Sequence, residues 1–274
     1  MLRRIGIVRQ GASEAFQRQM GALLGALRAV EAPATFFILG LTAESNPRAV
    51  EAILAEGHDV ACHGYAHERV YGLTADSFRH DLERSLRIIE RLTGRRARGY
   101  RAPCFSINRD SLWARDVLTE FGFEYDSSEC ACPWVPRSMS PRSMAPRRIG
   151  SNSGMWELPV ASVQIARRSI PVGGASYWRW IPSQVLVRAL HSIAGPGRFP
   201  ALYLHPYEFD PQPLGVARRV RLSRCQRLVL RGRASWRNAA HETVLERFAA
   251  VAANFRLVTC EEAIEDLKAR GRPA

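Results

Sequence analysis

Lysine is almost missing from this chain of 274 residues: Lys268 is the single one, and arginine carries nearly all of the positive charge. We read that skew as a coding bias. The net charge of +13 still raises the question of a polyanionic partner. The arginines crowd at Arg218, Arg219, Arg221, Arg224, Arg227, Arg231, Arg233 and Arg237, in a pattern that matches no nucleic-acid-binding module. Nucleic acid is therefore not the expected partner, and an acidic glycan or a membrane surface suits the segment better. No run of about 18 apolar residues occurs, so no integral membrane segment is expected. The apolar stretch Ile5–Val8 is too short for the core of an export signal, which places the expected location in the cytoplasm. None of the six cysteines forms a Cys-x-x-Cys pair, so reduced thiols are the default and a zinc knuckle is not expected. Cys130-Ala131-Cys132 reads as loop chemistry without a role.

What is present is an ordinary globular balance, 46% hydrophobic and 24% charged. Residues 14–31 carry Phe16, Met20, Leu23, Leu24 and Leu27 at helical spacing, and Pro33 closes that helix. Ala34–Leu39 is a short continuous apolar run, the signature of a strand buried on both faces. Asn46-Pro47 opens a second helix that stops at Gly57, and Val60–His63 reads as the next strand. Thr74 caps a long amphipathic helix through Leu82, Leu86, Ile89 and Leu92 to Gly94. Gly99–Pro103 is a third strand end. A helix over 108–121 and a strand over 123–126 follow.

Residues 127–155 lose periodicity and read as a long surface loop. Strands are then expected at 156–160, 201–205 and 255–259, with helices over 182–193, over 238–253 and at the C-terminus. Alternating strands and helices mean a parallel sheet, and about seven such units suggest a closed (β/α) barrel. Residues 1–274 read as one domain, with an Arg-rich segment at 210–238.

Chemistry in such a sheet gathers at the C-terminal strand ends. His63, Arg101, Asp126 and His205 all fall there. His63 and His67 lie four residues apart, as on one face of a helical turn, where two imidazoles can grip one divalent cation. Spacing alone also suits ordinary solvated or hydrogen-bonded histidines. Arg101 also suits a carboxylate partner at a strand end, and His205 a buried, hydrogen-bonded strand histidine.

Thr35-Phe36-Phe37-Ile38-Leu39-Gly40, His63-x-x-x-His67, Arg101-Ala102-Pro103 and Leu204-His205-Pro206 stand in the order and roughly the spacing of a known family. The chain resembles the polysaccharide deacetylases, the NodB-type carbohydrate esterases. The extended forms, among them Tyr125-Asp126-Ser127-Ser128 and His205-Pro206-Tyr207-Glu208, resemble the subgroup linked to bacterial exopolysaccharide clusters. The resemblance implies a distorted α/β barrel that removes N-acetyl groups from an acetylated glycan with a divalent metal, commonly zinc. It assigns the metal to His63 and His67 and the general acid to His205. It gives Leu204 to the acetyl pocket, Arg101 to orienting the catalytic carboxylate, the backbone near Cys104 to the oxyanion and Asp126 to support.

One motif of the family has no counterpart. Its N-terminal strand ends in an aspartate pair, the catalytic base and the third metal ligand. Here the only acids before Phe36 are Glu14 and Glu31, both inside the first helix. The barrel is therefore expected to lack its first strand. Three explanations stay open: a start that lies further upstream, a carboxylate supplied by Asp126 or Glu208, or a protein that holds glycan or metal without turnover. A hydrolase acting on a small non-peptide amide is a further alternative.

Overall fold

The computed structural model describes residues 14–132, 135–139, 143–150, 154–166, 168–212, 223–240 and 242–271. In chain order they form α1 (Glu14–Ala29), β1 (Thr35–Ile38), α2 (Gly40–Ser45), α3 (Pro47–Ala55), β2 (Asp59–Cys62), α4 (Ala75–Thr93), β3 (Gly99–Tyr100), α5 (Trp113–Glu120) and β4 (Tyr125–Asp126). Then come β5 (Arg147–Ile149), β6 (Met155–Glu157), β7 (Ser162–Ile165), β8 (Arg168–Pro171), α6 (Ala175–Trp178), α7 (Ser183–Ile193), α8 (Arg224–Asn238), α9 (Thr243–Asn254) and α10 (Cys260–Ala269). Among the described residues, three short 3-10 turns lie at Val70–Gly72, Pro103–Phe105 and Pro206–Glu208. Among the described residues no helix is long and apolar enough to cross a membrane.

The main sheet has six strands in the order β1-β2-β3-β4-β6-β5. β1 to β4 and β6 run parallel, each joined to the next through helix or loop, and only β5 is antiparallel. The expected α/β class with a largely parallel sheet is thus present. The described ladder is open, with β1 at one edge. Beyond β6 the curl continues as single parallel bridges, Val160 to Ala201 and Gly174 to Tyr203, so the expected strand at 201–205 is present only as bridges. Residues 255–259, also expected as a strand, form no ladder, and Cys260 N–H instead donates to Thr35 Oγ1 at 2.8 Å. The helix expected over 108–121 starts only at Trp113, because Asn108 and Ser111 turn the chain back on itself with side-chain hydrogen bonds.

Helix α4 shows why these elements form where they do. Thr74 Oγ1 accepts from Ser77 N–H, Ser77 answers with its own hydroxyl, and Gly94 closes the helix at φ 70°. Phe78, Leu82, Leu86 and Ile89 fall on one face and are buried against Tyr100 and the sheet, Phe78 meeting the Tyr100 ring edge-on at 5.7 Å. A second cluster packs Leu23 and Leu27 of α1 against Trp178, Leu186 and Leu190, with Val244, Phe248 and Val251 of α9. The two clusters clamp the sheet and leave its C-terminal strand ends for polar residues.

The stretch 127–155 corrects an expectation. Ser127 to Cys132 are buried, and Arg147–Ile149 and Met155–Glu157 are strands of the main sheet. Polar side chains make that burial affordable. Ser127 Oγ donates to Leu158 O at 2.7 Å, Ser128 Oγ donates to Asp126 Oδ1 at 2.5 Å, and Glu129 takes Arg115 at 2.6 Å. Cys130 and Cys132 join a small core with Val135 and Val160 instead of lying on a surface loop.

Gly99 sits where Tyr125 crosses the neighbouring strand. A Cβ there would lie 1.9 Å from the Tyr125 ring, which is itself fully buried. Gly99→Ala is expected to cost about 1–3 kcal/mol through overpacking, read as a lower midpoint in urea unfolding. An unchanged midpoint would mean that the ring has room to swing aside.

Candidate functional site

The paired histidines sit just past the end of β2. His63 N–H donates to Ile38 O at 3.0 Å and so prolongs the ladder by one residue. Gly64 then turns the chain at φ 74°, and a Cβ at that position would lie 2.7 Å from Asp81 Oδ2. The turn is clamped from three sides: Gly64 O accepts from Gly40 N–H and Ser85 Oγ, Tyr65 O accepts from Leu41 N–H, and Asp81 accepts from Tyr65 N–H at 2.8 Å. His67 ends the turn in the left-handed region, at φ 61°. The pair therefore meets on a strained loop and not on the helical face that its spacing suggested. The ring centroids are 5.4 Å apart.

His63 Nδ1 lies 2.6 Å from the carbonyl oxygen of Arg101. A neutral imidazole donates there through Nδ1–H, which leaves Nε2 as a bare lone pair. Burial pushes the His63 pKa down to about 3, with the His67 charge next in size, and burial likewise lowers that of His67. Both rings are thus neutral near pH 7, the state that ligates metals.

The facing wall comes from the segment bridged to Gly174. Tyr203, Leu204 and His205 lead into the turn at Pro206–Glu208. Glu208 accepts the His205 N–H at 2.7 Å and the Ser176 hydroxyl, and its Oε2 lies 3.5 Å from His205 Nδ1. Burial raises the pKa of Glu208, but hydrogen bonding and the charge of His205, with Ser176, outweigh it, and the carboxyl stays below its usual range. The His205 ring stacks on Tyr207 at 5.2 Å and meets Tyr203 edge-on at 5.8 Å. Its side chain is 47% exposed, so it is not a buried strand histidine. Arg18 of α1 braces the loop from below, gripping buried Asp210 with both Nε and Nη2.

Arg101 closes the floor. It is 8% exposed, donates to Ser127 O at 3.0 Å and Ser127 Oγ at 2.8 Å, and lies 4.1 Å over the Phe37 ring. Among the described residues no carboxylate pairs with it within 4 Å, and desolvation lowers its pKa. The next two turns of chain, at Cys104 (φ 57°) and Phe105 (φ 55°), are both left-handed. Three of the seven non-glycine residues at positive φ among those described are His67, Cys104 and Phe105, so backbone strain gathers at this one place.

A cavity of about 810 Å³ joins these walls. His63, His67, Arg101, Cys104, Leu204 and His205 all line it. Asp126 does not: it is fully buried, and its Oδ1 accepts from Ser128 Oγ. Sequence reading passed over Phe105, Ser176, Tyr203 and Tyr207, which also line the cavity. Tyr203 was legible as the residue two before His205, on the same side of an extended chain.

The donor set bears on whether a metal fits. Two neutral imidazoles meet edge-on, one with its second nitrogen held by a carbonyl, as ligating histidines are. Among the described residues no cluster of three or more His, Cys, Asp or Glu could hold a metal ion. Residues 1–13 contain none of these four types. The described residues fit two positions of a divalent site and supply no third.

A parallel sheet with histidines gathered over its C-terminal strand ends defines an α/β protein whose site is built from strand-end loops. Residues 15–125 match the family described as Polysaccharide deacetylase. Residues 131–265 match a domain of unknown function, DUF3473. A peptidoglycan deacetylase-like protein from Gibberella zeae is 36% identical over 94 residues, 34% of this chain and 27% of that protein. A peptidoglycan deacetylase from Helicobacter pylori is 33% identical over 106 residues, 39% of this chain and 35% of that protein. The matched region thus spans about a third of the length of these relatives. A crystal structure described as a polysaccharide deacetylase from Mycobacterium smegmatis covers 95% of this chain and 83% of its own, with a TM-score of 0.62 at 24% identity, and shows the same fold.

Proposed function

We propose that this chain carries the site of a metal-dependent hydrolase that removes N-acetyl groups from an acetylated polysaccharide or its precursor. The observation that carries the reading is the meeting of His63, His67 and His205 in one cavity of a family whose relatives are named for deacetylating peptidoglycan. The reaction adds water across the acetyl C–N bond, freeing acetate and leaving an amine. His63 and His67 would hold a divalent cation, with zinc the ion that suits imidazole donors, and when bound it supplies a polarised carbonyl and a more acidic water.

The remaining work belongs to the chain's own groups. His205 reaches the cavity with its exposed edge, fixed by Glu208 and Tyr207, and hands a proton to the departing amine. Leu204, with Phe105 and Tyr203, offers an apolar wall for the acetyl methyl. The left-handed turn at Cys104 sets backbone at the cavity where the oxyanion develops. Arg101 holds a fixed cation at the floor for a carboxylate.

The test is acetate release from N-acetylglucosamine oligosaccharides and from peptidoglycan, with zinc added. His205→Ala is expected to lower the rate by about 10²–10⁴-fold while leaving metal content unchanged. A second reading, a glycan-binding protein without turnover, is favoured by the short donor set. It predicts saturable binding of the same oligosaccharides with no acetate released, a result that would replace the first reading.

A further inference from the structure

Helix α8 has no part in the site above. Its start is set by its own residues: Ser223 Oγ accepts from Gln226 N–H at 3.2 Å, and Gln226 Oε1 accepts from Ser223 N–H at 3.0 Å. Its far end is tied to the body of the protein, where buried Arg179 donates to Ala239 O at 3.1 Å. Among its described side chains, Cys225 to Val229 and Arg231 are exposed. Cys225, Leu228, Val229 and Gly232 follow the spacing i, i+3, i+4, i+7 and make one apolar stripe. Leu228 is 73% exposed and Val229 51%, and nothing lies within 4 Å of a Cβ built on Gly232. Arg227 and Arg231, both exposed, run along one flank of the stripe.

The sequence around the helix sharpens the picture. Between Asp210 and Glu242 there is no acidic residue, and the eight arginines from Arg218 to Arg237 all fall in that interval. Arg218, Arg219 and Arg221 lie outside the described residues. A run of positive charge with no acidic residue in the same stretch of sequence selects an anionic partner. Exposed leucine and valine between the arginines narrow the choice, because a soluble polyanion offers no apolar layer to bury them. A lipid surface offers both, with anionic headgroups for the guanidinium groups and the acyl boundary for the stripe.

We propose that α8 docks the protein on an anionic phospholipid bilayer, lying in the plane of the interface. The tether at Arg179 belongs to the chain directly after α6, whose Ser176 bonds Glu208 beneath His205. Docking through α8 therefore holds the cavity in a fixed position relative to the lipid surface.

The experiment is flotation of the full chain with vesicles of phosphatidylcholine alone and of phosphatidylcholine mixed with phosphatidylglycerol. Binding is expected only to the mixed vesicles and is expected to weaken as salt rises. Arg227→Gln with Arg231→Gln should weaken it by about fivefold for each charge removed. Leu228→Ser with Val229→Ser should weaken it by about tenfold or more, while retention on a heparin column stays at the wild-type level. These side chains are exposed, and circular dichroism confirms that the variants fold. Absence of wild-type binding to the mixed vesicles overturns the proposal. So does full vesicle binding by the Leu228/Val229 variant, which would leave charge alone at work and make a polyanionic glycan the partner.

Discussion

Replacing His63 and His67 together is expected to strip the protein of bound divalent metal and to lower acetate release by about three orders of magnitude or more. Both rings are desolvated and neutral, so protons do not compete with a cation for them near pH 7. The two positions need different substitutions. His63→Ala leaves the Arg101 carbonyl without its Nδ1–H donor, a loss of about 1–3 kcal/mol that would blur a binding result. His67→Asn keeps a residue type that tolerates φ 61° and removes only the imidazole. Metal content of dialysed protein, measured by mass spectrometry, is the readout that does not depend on turnover. Wild-type content surviving in the double variant would move the metal elsewhere or remove it from the account.

The convergence of His63, Arg101 and His205 on one cavity could be read before the fold was known, and the reason is local. His63, Arg101 and His205 each stand at the end of a short apolar run, and in a parallel sheet those ends converge. Thr74, Gly94 and the spacing of α4 depend only on near neighbours along the chain, so their reading held. Failures occurred where tertiary contacts decide. The spacing of His63 and His67 spoke for a helix, but Gly64 and the Asp81 clamp impose a loop. Residues 127–132 looked like surface because they are polar, yet their hydroxyls and carboxylates are consumed by Arg101, Arg115 and the strand ends. Asp126 looked catalytic because it ends a strand, but it is fully buried, accepts from Ser128 and does not line the cavity. Periodicity says where a strand ends and not which way its last side chain turns. The short strands at 201–205 and 255–259 failed for another reason: an apolar run marks packing and not pairing, and the first keeps only the bridges at Ala201 and Tyr203 while the second forms none.

Asp126→Asn is expected to stabilise the protein by about 3 kcal/mol near pH 8 and to leave it unchanged near pH 4. Burial pushes the Asp126 carboxyl up from 3.8 to about 6, against the help of Ser128 and Arg115. Burial also raises that of Glu157, with the charges of Asp126 and Glu129 adding to the effect. The sign follows from proton counting. Below 3.8 the carboxyl is protonated in both folded and unfolded chains and the shift has no effect on stability. As pH climbs from there towards about 6, the unfolded chain has released its proton while the folded chain still holds one, so stability falls. Above that range the folded protein carries a buried charge, and the whole penalty, about 3 kcal/mol for this displacement of the pKa, is in place. An amide at position 126 removes the ionisation and can still accept from Ser128. Urea midpoints taken across this interval should therefore fall with pH in the wild type and fall less in the variant. A variant that is weaker than wild type at every pH would mean that the carboxylate is stabilised there as an ion, with Arg115 as its counter-charge. If instead Asp126 were the water-activating base of the site, Asp126→Asn would abolish acetate release. Its burial away from the cavity predicts that the variant keeps its activity while gaining stability.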